Sequence, residues 1–171
     1  MNKSDRKTSG KDMPDSNVSN KTASHLLNTC LYFTASTLCR HMNRMAEEEF
    51  KKVGLSPSHS FLLLLTDESP GISQKEAARY LNLSPSTVSR FVDALVLRSL
   101  IEKRENGRLV LLFPTEQGGI QCDEIRRAWA NLYERYSDIL GVNTGVELTR
   151  MISEANKKLT EGIYGAINQN E

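Results

Sequence analysis

The apolar residues of this chain recur mainly at steps of three and four, which is the period of an amphipathic helix. The first stripe ends near Gly54, and glycine commonly follows the last turn of a helix. The pattern therefore predicts one long helix from about Thr22 to Gly54. Its stripe comprises Leu27, Leu31, Thr34, Leu38, Met42 and Met45.

A second helix is predicted directly after this one. Ser56 and Pro57 supply a capping residue followed by proline at the first helical position. The run from Phe61 to Leu65 is apolar nearly all round, so we expect this helix to lie in the centre of the core.

Two shorter helices follow, and a tight turn joins them. Ser73 and Glu76 have the spacing of a capping box, in which serine caps the helix and glutamate reaches back. Asn82 ends that helix, because asparagine tolerates the left-handed conformation of a tight turn. Ser84 caps the next helix, and Pro85 occupies its first position.

Beyond these helices the period changes to alternation and then becomes helical again. The segment "LIEKRENGRLVLLF" predicts two short strands around Asn106-Gly107, a pair typical of hairpin turns. A long helix follows Pro114 and ends at Gly141, and a second capping box, from Thr144 to Glu147, predicts the start of the last helix. The fold class is thus mainly α with a small β-hairpin. The two stripes comprise Ile125, Trp129, Leu132, Tyr136 and Ile139, and then Leu148, Met151, Ala155, Leu159 and Ile163.

Composition narrows the class of protein. The 171 residues suit one compact domain, and residues 1–21 are polar enough that we expect a disordered tail. Three cysteines without CxxC spacing favour a reducing compartment, and no apolar run is long enough for a membrane span. With no apolar signal region at the N-terminus, a cytoplasmic protein is expected.

The stretch "LNLSPSTVSRFVDAL" carries the strongest functional signal. Two helices joined by a tight turn form a helix-turn-helix, whose second helix enters the major groove of DNA by its N-terminal end. Val88 and Phe91 are expected to point inward. Capping alone also explains Ser84, but not the whole arrangement. The residues left facing outward are Ser86, Thr87, Ser89 and Arg90, and the arginine is long enough to bind a guanine edge.

The charge of the chain is locally concentrated in the same region. The whole chain has a net charge of only +1, whereas the segment from Ser73 to Arg108 carries seven basic and four acidic residues, which gives +3. We expect the hairpin to add a second contact to DNA, although a solvated hairpin arginine is the alternative. The further candidate DNA-binding residues are Lys75, Arg104, Asn106, Gly107 and Arg108.

Two segments, "SQKEAARYLNLSPSTVSRFVDALVLRSLIEKR" and "GRLVLLFPTEQG", resemble the winged helix-turn-helix of the multiple-antibiotic-resistance regulator (MarR) family. The resemblance implies a homodimeric repressor that binds a pseudo-palindromic operator in double-stranded DNA and is released by a ligand or oxidant. It also implies a division into an N-terminal dimerisation helix (22–54), a DNA-binding lobe (55–115) and C-terminal dimerisation helices (116–168). The chain departs from the family's usual pattern at Ser99, where glycine is common, and at Asn106, where the wing often carries aspartate.

Effector residues are proposed from the same resemblance. "CLYFTAST" is similar to the hydroperoxide-sensing branch of the family, in which an early cysteine, here Cys30, is oxidised; a cysteine that only packs is the alternative. The family's ligand pocket would draw on Tyr32, Arg40, His41 and Trp129, although helix packing explains these side chains equally well.

No cluster of nucleophile, base and orienting residue is visible, and the three histidines have no metal-ligand spacing. We therefore expect no enzyme, no cofactor and no metal. The alternative function is a winged-helix module for protein interaction, because fold alone does not decide function.

Overall fold

A computed structural model of the chain describes residue 25 and residues 27–164. The described residues fall into two compact units, which divide between Met42 and Asn43. The secondary structure confirms the predicted class of mainly helical protein with a small antiparallel sheet. The helices are α1 (Leu31–Phe50), α2 (Pro57–Glu68), α3 (Gln74–Tyr80), α4 (Pro85–Leu97), α5 (Glu116–Leu140) and α6 (Val142–Tyr164), with a 3-10 turn at Lys51–Val53; the strands are β1 (Ile72–Ser73), β2 (Ile101–Asn106) and β3 (Leu109–Pro114).

The predicted first helix is interrupted near its start. Residues 27–29 are helical, Cys30 is not, and α1 begins at Leu31. The Cys30 carbonyl nevertheless accepts both the backbone N–H and the hydroxyl of Thr34, each over 3.0 Å, so this bond of the helical ladder is kept. The predicted continuous helix is wrong at this point. Its end is confirmed, because Gly54 adopts φ 71° after the 3-10 turn. The predicted start at Thr22 and the tail of residues 1–21 lie outside the described residues.

The core is organised around α2, as its sequence predicts. Leu62 and Leu63 are fully buried, while Phe61 and Leu65 at the ends of the apolar run are half-buried. Full burial of one large aliphatic side chain contributes about 1.5–3 kcal/mol, so this helix is a main source of stability. Other elements contribute further fully buried core residues, namely Val88, Val92 and Leu95 from α4, Leu112 from β3 and Ile125 from α5.

The sheet has one strand more than the predicted hairpin. The strand order is β1-β3-β2, and Ile72 of β1 pairs with Leu112 of β3. The short strand escaped detection because two residues cannot display an alternating pattern. The turn also lies one residue later than predicted. Asn106 pairs with Leu109, so Gly107 and Arg108 are the two loop residues.

The start of α5 packs directly against the end of α4. The Thr115 hydroxyl accepts a bond from the Gly118 N–H over 2.9 Å and donates to the Ser99 carbonyl over 2.7 Å. A Cβ atom on Gly118 would overlap the carbonyl oxygen of Leu100. Only glycine allows this close approach of two backbones.

The last two helices are joined by a single residue, Gly141, which adopts φ 81°. The predicted end of α5 at this glycine is confirmed. The predicted capping box is wrong, because α6 begins at Val142 and Thr144 therefore lies inside the helix. Glu147 binds Arg150 instead of capping. No helix within the described part of the chain is long and apolar enough to cross a membrane.

Candidate nucleic-acid interface

A Schellman motif forms the turn between α3 and α4. Asn82 adopts φ 52°, its N–H donates to the Arg79 carbonyl over 3.2 Å, and the Leu83 N–H donates to the Ala78 carbonyl over 3.0 Å. This motif requires a left-handed residue and satisfies the last carbonyls of the helix. The predicted role of Asn82 is confirmed, and the side chain of Ala78 is small and buried where the two helices meet.

The first turn of α4 carries a cluster of hydroxyl groups. Ser84 caps the helix by accepting a bond from the Thr87 N–H over 3.2 Å. Its oxygen also lies 3.0 Å from Ser86 Oγ and 2.8 Å from Thr87 Oγ1. The capping role of Ser84 is thereby confirmed. The positive end of the helix dipole attracts an anion, and these small side chains leave room for it close to the backbone.

The outward face of α4 is narrower than predicted. Ser86 and Arg90 are exposed, whereas Thr87 and Ser89 are half-buried. Thr87 also turns its hydroxyl toward the capping serine. Val88 and Phe91 were predicted to point inward. Val88 is buried, whereas Phe91 is only half-buried.

The basic residues of this region fall into two groups. Lys103 and Arg104 are paired with acids, at 2.9 Å from Asp93 and 3.4 Å from Glu102, and Arg104 also lies 4.2 Å from the centre of the Phe113 ring. The others are exposed and form no ion pair with any other residue in the described part of the chain. This second group comprises Lys75, Arg79, Arg90, Arg98 and Arg108, of which Arg98 donates a hydrogen bond to the Gly54 carbonyl. The positive charge that is free to bind an anion is thus concentrated on α3, the first turns of α4 and the tip of the hairpin.

The hairpin ends in a compact two-residue turn. Gly107 has φ 61°, while Arg108 does not have a positive φ, the pattern of signs expected of a type II′ turn. A Cβ on Gly107 would meet no atom within 4 Å, so the tip is open. Arg108 and Asn106 are both exposed there, as predicted for residues that contact DNA.

An ion pair between Lys103 and Asp93 links the hairpin to α4, and neither residue was among the predicted site residues. Asp93 lies on α4 and Lys103 on β2, so the pair is a surface contact between the hairpin and the helix. Ten residues separate the two charges, and only the folded position of β2 brings them together. Sequence spacing gave no signal of this pair.

A groove next to the first turn of α4 brings predicted site residues together. It has a volume of about 530 Å³, and Lys75, Ser84 and the unpredicted Arg79 are among the residues that line it. Cations and a helix N-terminus are groups that favour a phosphate, so this groove is a candidate phosphate site.

The five effector candidates are divided between the two compact units. Cys30, Tyr32, Arg40 and His41 belong to residues 1–42, and each is exposed. Trp129 belongs to residues 43–171. Its ring lies 4.6 Å from that of Phe61, so it packs on α2 while remaining 47% exposed.

The cysteines differ sharply in their surroundings. Cys30 and Cys39 are exposed, whereas Cys122 is buried. Burial together with the negative charge of Asp67 raises the pKa of the Cys122 thiol to about 12. This thiol therefore stays protonated and unreactive at neutral pH. The described residues include no group of three or more His, Cys, Asp or Glu side chains that could hold a metal ion.

Comparison with known proteins shows similarity to the MarR family and to an HTH-type transcriptional regulator. The sequence profile of the MarR family matches residues 53–108. The uncharacterized HTH-type transcriptional regulator YybA of Bacillus subtilis (strain 168) is 29% identical over 84 residues, 47% of this chain and 56% of that protein. The chain thus matches little more than half the length of that relative.

Solved structures show the same fold at low sequence identity. The transcriptional repressor CouR, bound to a 23-mer DNA duplex, has a TM-score of 0.72 and 22% identity over 77% of this chain and 95% of its own. The PcaV transcriptional regulator from Streptomyces coelicolor, in complex with its natural ligand, has a TM-score of 0.70 and 20% identity over 77% and 94% of the two chains.

Proposed function

We propose that this chain, whose residues 53–108 match the sequence profile of the MarR family, acts as a homodimeric, DNA-binding transcriptional repressor. The observation that carries the proposal is the unpaired positive charge on α3, at the exposed start of α4 and at the tip of the hairpin. A hydroxyl-rich helix N-terminus beside free cations binds phosphates and base edges.

Within this proposal α4 is the recognition helix. Arg90 is exposed and unpaired with any described acid, so its guanidinium is available to bind the O6 and N7 atoms of a guanine. Ser86 reaches the bases or the backbone beside it, while Ser84, Thr87 and Ser89 shape the first turns and let the helix approach closely. Short side chains suit this position because they keep the helix backbone near the DNA.

The remaining candidates contact the DNA backbone. Lys75 and the unpredicted Arg79 line one groove with the start of α4 and bind a phosphate there. Arg108 extends from the hairpin tip into the flanking minor groove, supported by Asn106 and Gly107. Arg104 is already paired with Glu102, so we assign it a smaller part.

The homodimer is proposed because α6 leaves large apolar side chains uncovered. Met151 and Leu159, eight residues apart on one face, are each 55% exposed. A second copy of the chain would cover this face and place two recognition helices on the two halves of a pseudo-palindromic operator. In this proposal residues 22–54 and 116–168 form the dimerisation arms and residues 55–115 the DNA-binding lobe, as the sequence predicts.

Release by an effector is proposed by analogy. PcaV was solved with its natural ligand, and its fold matches this chain. The candidate ligand-binding residues remain Tyr32, Arg40, His41 and Trp129, and an exposed Cys30 is the candidate for oxidation. We expect no enzymatic activity.

Replacement of Arg90 by alanine tests the proposal. Duplexes are first selected from the source genome with the wild-type protein, and dissociation constants are then measured on the preferred site across a salt series. We expect Arg90→Ala to weaken specific binding by about 1–3 kcal/mol and to relax the preference at one base pair. Arg104→Ala, whose side chain is paired, is the matched control and should change affinity less.

Replacement of Arg108 by alanine tests the role of the hairpin. We expect a smaller loss that is similar on all sequences, with a salt slope reduced by roughly one phosphate equivalent per subunit if the side chain contacts a phosphate. A variant with the affinity and slope of the wild type would limit the hairpin to a structural role. A wild-type protein that binds no duplex in a salt-dependent way would instead favour a protein-interaction module.

A further inference from the structure

Arg98, the residue that follows the end of α4, reaches back to the segment between α1 and α2. Its Nη1 atom donates a hydrogen bond of 2.7 Å to the carbonyl oxygen of Gly54, 44 residues earlier in the chain. Gly54 closes the 3-10 turn after α1, so its carbonyl lies at the negative end of a helical segment, where a cation is favoured.

A second contact joins α4 to the same segment. The ring of Phe91 lies 4.4 Å from that of His59, at an angle of 41°. The imidazole is itself held at the first turn of α2, where its Nδ1 atom lies 2.7 Å from Ser56 Oγ. Ser56 also accepts the backbone N–H of His59 over 3.4 Å, so the ring is fixed to a helix cap.

The spacing of these contacts along α4 determines what they can control. Phe91 and Arg98 are seven residues apart, which places them on one side of the helix and about 10 Å apart along its axis. Val88, Val92 and Leu95 attach the helix to the core, and two further attachments at that separation restrict its remaining freedom to rotate and tilt. Arg90 is adjacent to Phe91, so any rotation that breaks the ring contact also moves the guanidinium away from its base.

We propose that Arg98 is a positioning residue for base recognition, which acts through the Gly54 carbonyl to hold α4 in the orientation that Arg90 needs. The inference rests on the proposed function, because it assigns Arg98 a role in DNA reading without contact to DNA. Loss of a positioning residue affects DNA binding differently from loss of a phosphate contact. Loss of orientation weakens binding to the selected site, whereas sequence-independent electrostatic binding does not depend on the orientation of one helix.

Three variants separate orientation from charge. Arg98→Met removes both the donor and the charge, and Arg98→Lys keeps the charge and a donor that can reach the same carbonyl. Lys52→Met is the matched control, because it removes one positive charge from the same turn and Lys52 is exposed without an ion pair to any described residue. Each is measured on the selected duplex and on a random duplex across a salt series, alongside thermal unfolding.

We expect Arg98→Met to lose roughly tenfold in affinity for the selected duplex, the result if α4 without this bond is correctly oriented about one tenth of the time. Its affinity for random duplex and its salt slope should match those of Lys52→Met. Arg98→Lys should recover most of the loss. A structural defect would instead lower both affinities together with the unfolding temperature. Should Arg98→Met fail to fold, Arg98→Gln provides the uncharged variant with a remaining donor.

A second measurement needs no DNA. Partial burial and the nearby charge of Arg98 hold the pKa of the His59 imidazole below its ordinary value. We expect an NMR titration of His59 to show a higher pKa in Arg98→Met than in the wild type, and an unchanged pKa in Arg98→Lys.

The outcomes distinguish this inference from the proposed function. If the wild type selects a duplex and Arg98→Met binds it equally well, positioning by Arg98 is wrong and the function stands. Equal losses on both duplexes with a shallower salt slope would make Arg98 a phosphate contact, which also overturns the inference. A wild type that binds no duplex overturns the function and the inference together, whatever the titration of His59 shows.

Discussion

The helices α2 and α6 belong to the same compact unit, yet their apolar residues have opposite surroundings. In α2, Leu62 and Leu63 are fully buried, and the helix is enclosed by α4, α5 and the sheet. In α6, Met151 and Leu159 are each 55% exposed. The apolar residues of α2 pack against other elements of the same chain, whereas the apolar stripe of α6 is exposed and available to a second molecule.

The comparison explains how the molecule divides its tasks. In the proposed function α4 is the recognition helix, and three fully buried residues on the side opposite Arg90 attach it to the core. The apolar face of α6 is buried only if a second copy binds. Each large side chain that becomes fully covered would then stabilise the dimer by about 1.5–3 kcal/mol. Stability of the lobe and assembly of the dimer should therefore respond to different substitutions.

The largest effect is expected from charges on the open face of α6. Met151→Glu together with Leu159→Glu should turn the proposed homodimer into a monomer at micromolar concentration, because burying four unpaired carboxylates, two from each chain, costs several kcal/mol. Sedimentation should show a fall from twice the chain mass of 19.2 kDa to that mass.

The control for this experiment lies on the charged side of the same helix. Lys157→Glu changes the net charge by the same amount at an exposed polar position and should leave the dimer intact. If Met151→Glu with Leu159→Glu still sediments as a dimer, the partner does not cover this face. In either case the unfolding of the lobe should change little, since α6 shares none of its core.

A substitution at Gly118 tests the packing of the buried lobe around α2. Gly118→Ala should destabilise the lobe by about 2–3 kcal/mol, because its Cβ would overlap the Leu100 carbonyl and force two packed backbones apart. Chemical denaturation measures the change, while the dimer constant should be unaffected.

Gly119 is the matched control, one residue further along α5. The nearest atom to a Cβ there is Asp67 Oδ1 at 3.9 Å, so alanine fits. Gly119→Ala should be neutral or stabilise the helix by up to about 1 kcal/mol. Equal stabilities for the two variants would mean that the close approach at Gly118 is not maintained in solution.

The features that sequence predicted well are local ones. Ser56, Ser73 and Ser84 each cap a helix through a bond to a residue three positions later, so the signal lies within four residues. The turn at Asn82 is equally local. The same reasoning was wrong at Thr144, because Gly141 alone turns the chain and α6 begins before the predicted cap.

The features that sequence missed depend on distant residues. Strand β1 exists because Ile72 pairs with Leu112, forty residues later. The pairing of Lys103 with Asp93 and the bond from Arg98 to Gly54 require the folded positions of separate elements. The sequence predicted basic residues for the candidate site, but which of them form ion pairs within the chain could not be read from spacing.

The smallest predicted effect concerns Ser99, where glycine is usual in the family that the sequence resembles. Ser99 has φ 57°, its N–H donates to the Val96 carbonyl over 2.8 Å, and the Leu100 N–H donates to the Leu95 carbonyl over 2.9 Å. This is the same helix-ending motif as at Asn82, and it explains the usual glycine, because the left-handed conformation strains any residue with a Cβ.

Ser99→Gly should therefore stabilise the lobe by at most about 1 kcal/mol, since relief of the strain is partly offset by the greater freedom of glycine in the unfolded chain. Ser99→Ala keeps the Cβ and should gain nothing. Asn82→Gly should gain less than Ser99→Gly, because asparagine already tolerates the left-handed region. Urea denaturation of the three variants, with the dimer constant followed in parallel, measures these differences in stability. A Ser99→Gly protein no more stable than Ser99→Ala would mean that the strain is relieved elsewhere in the turn.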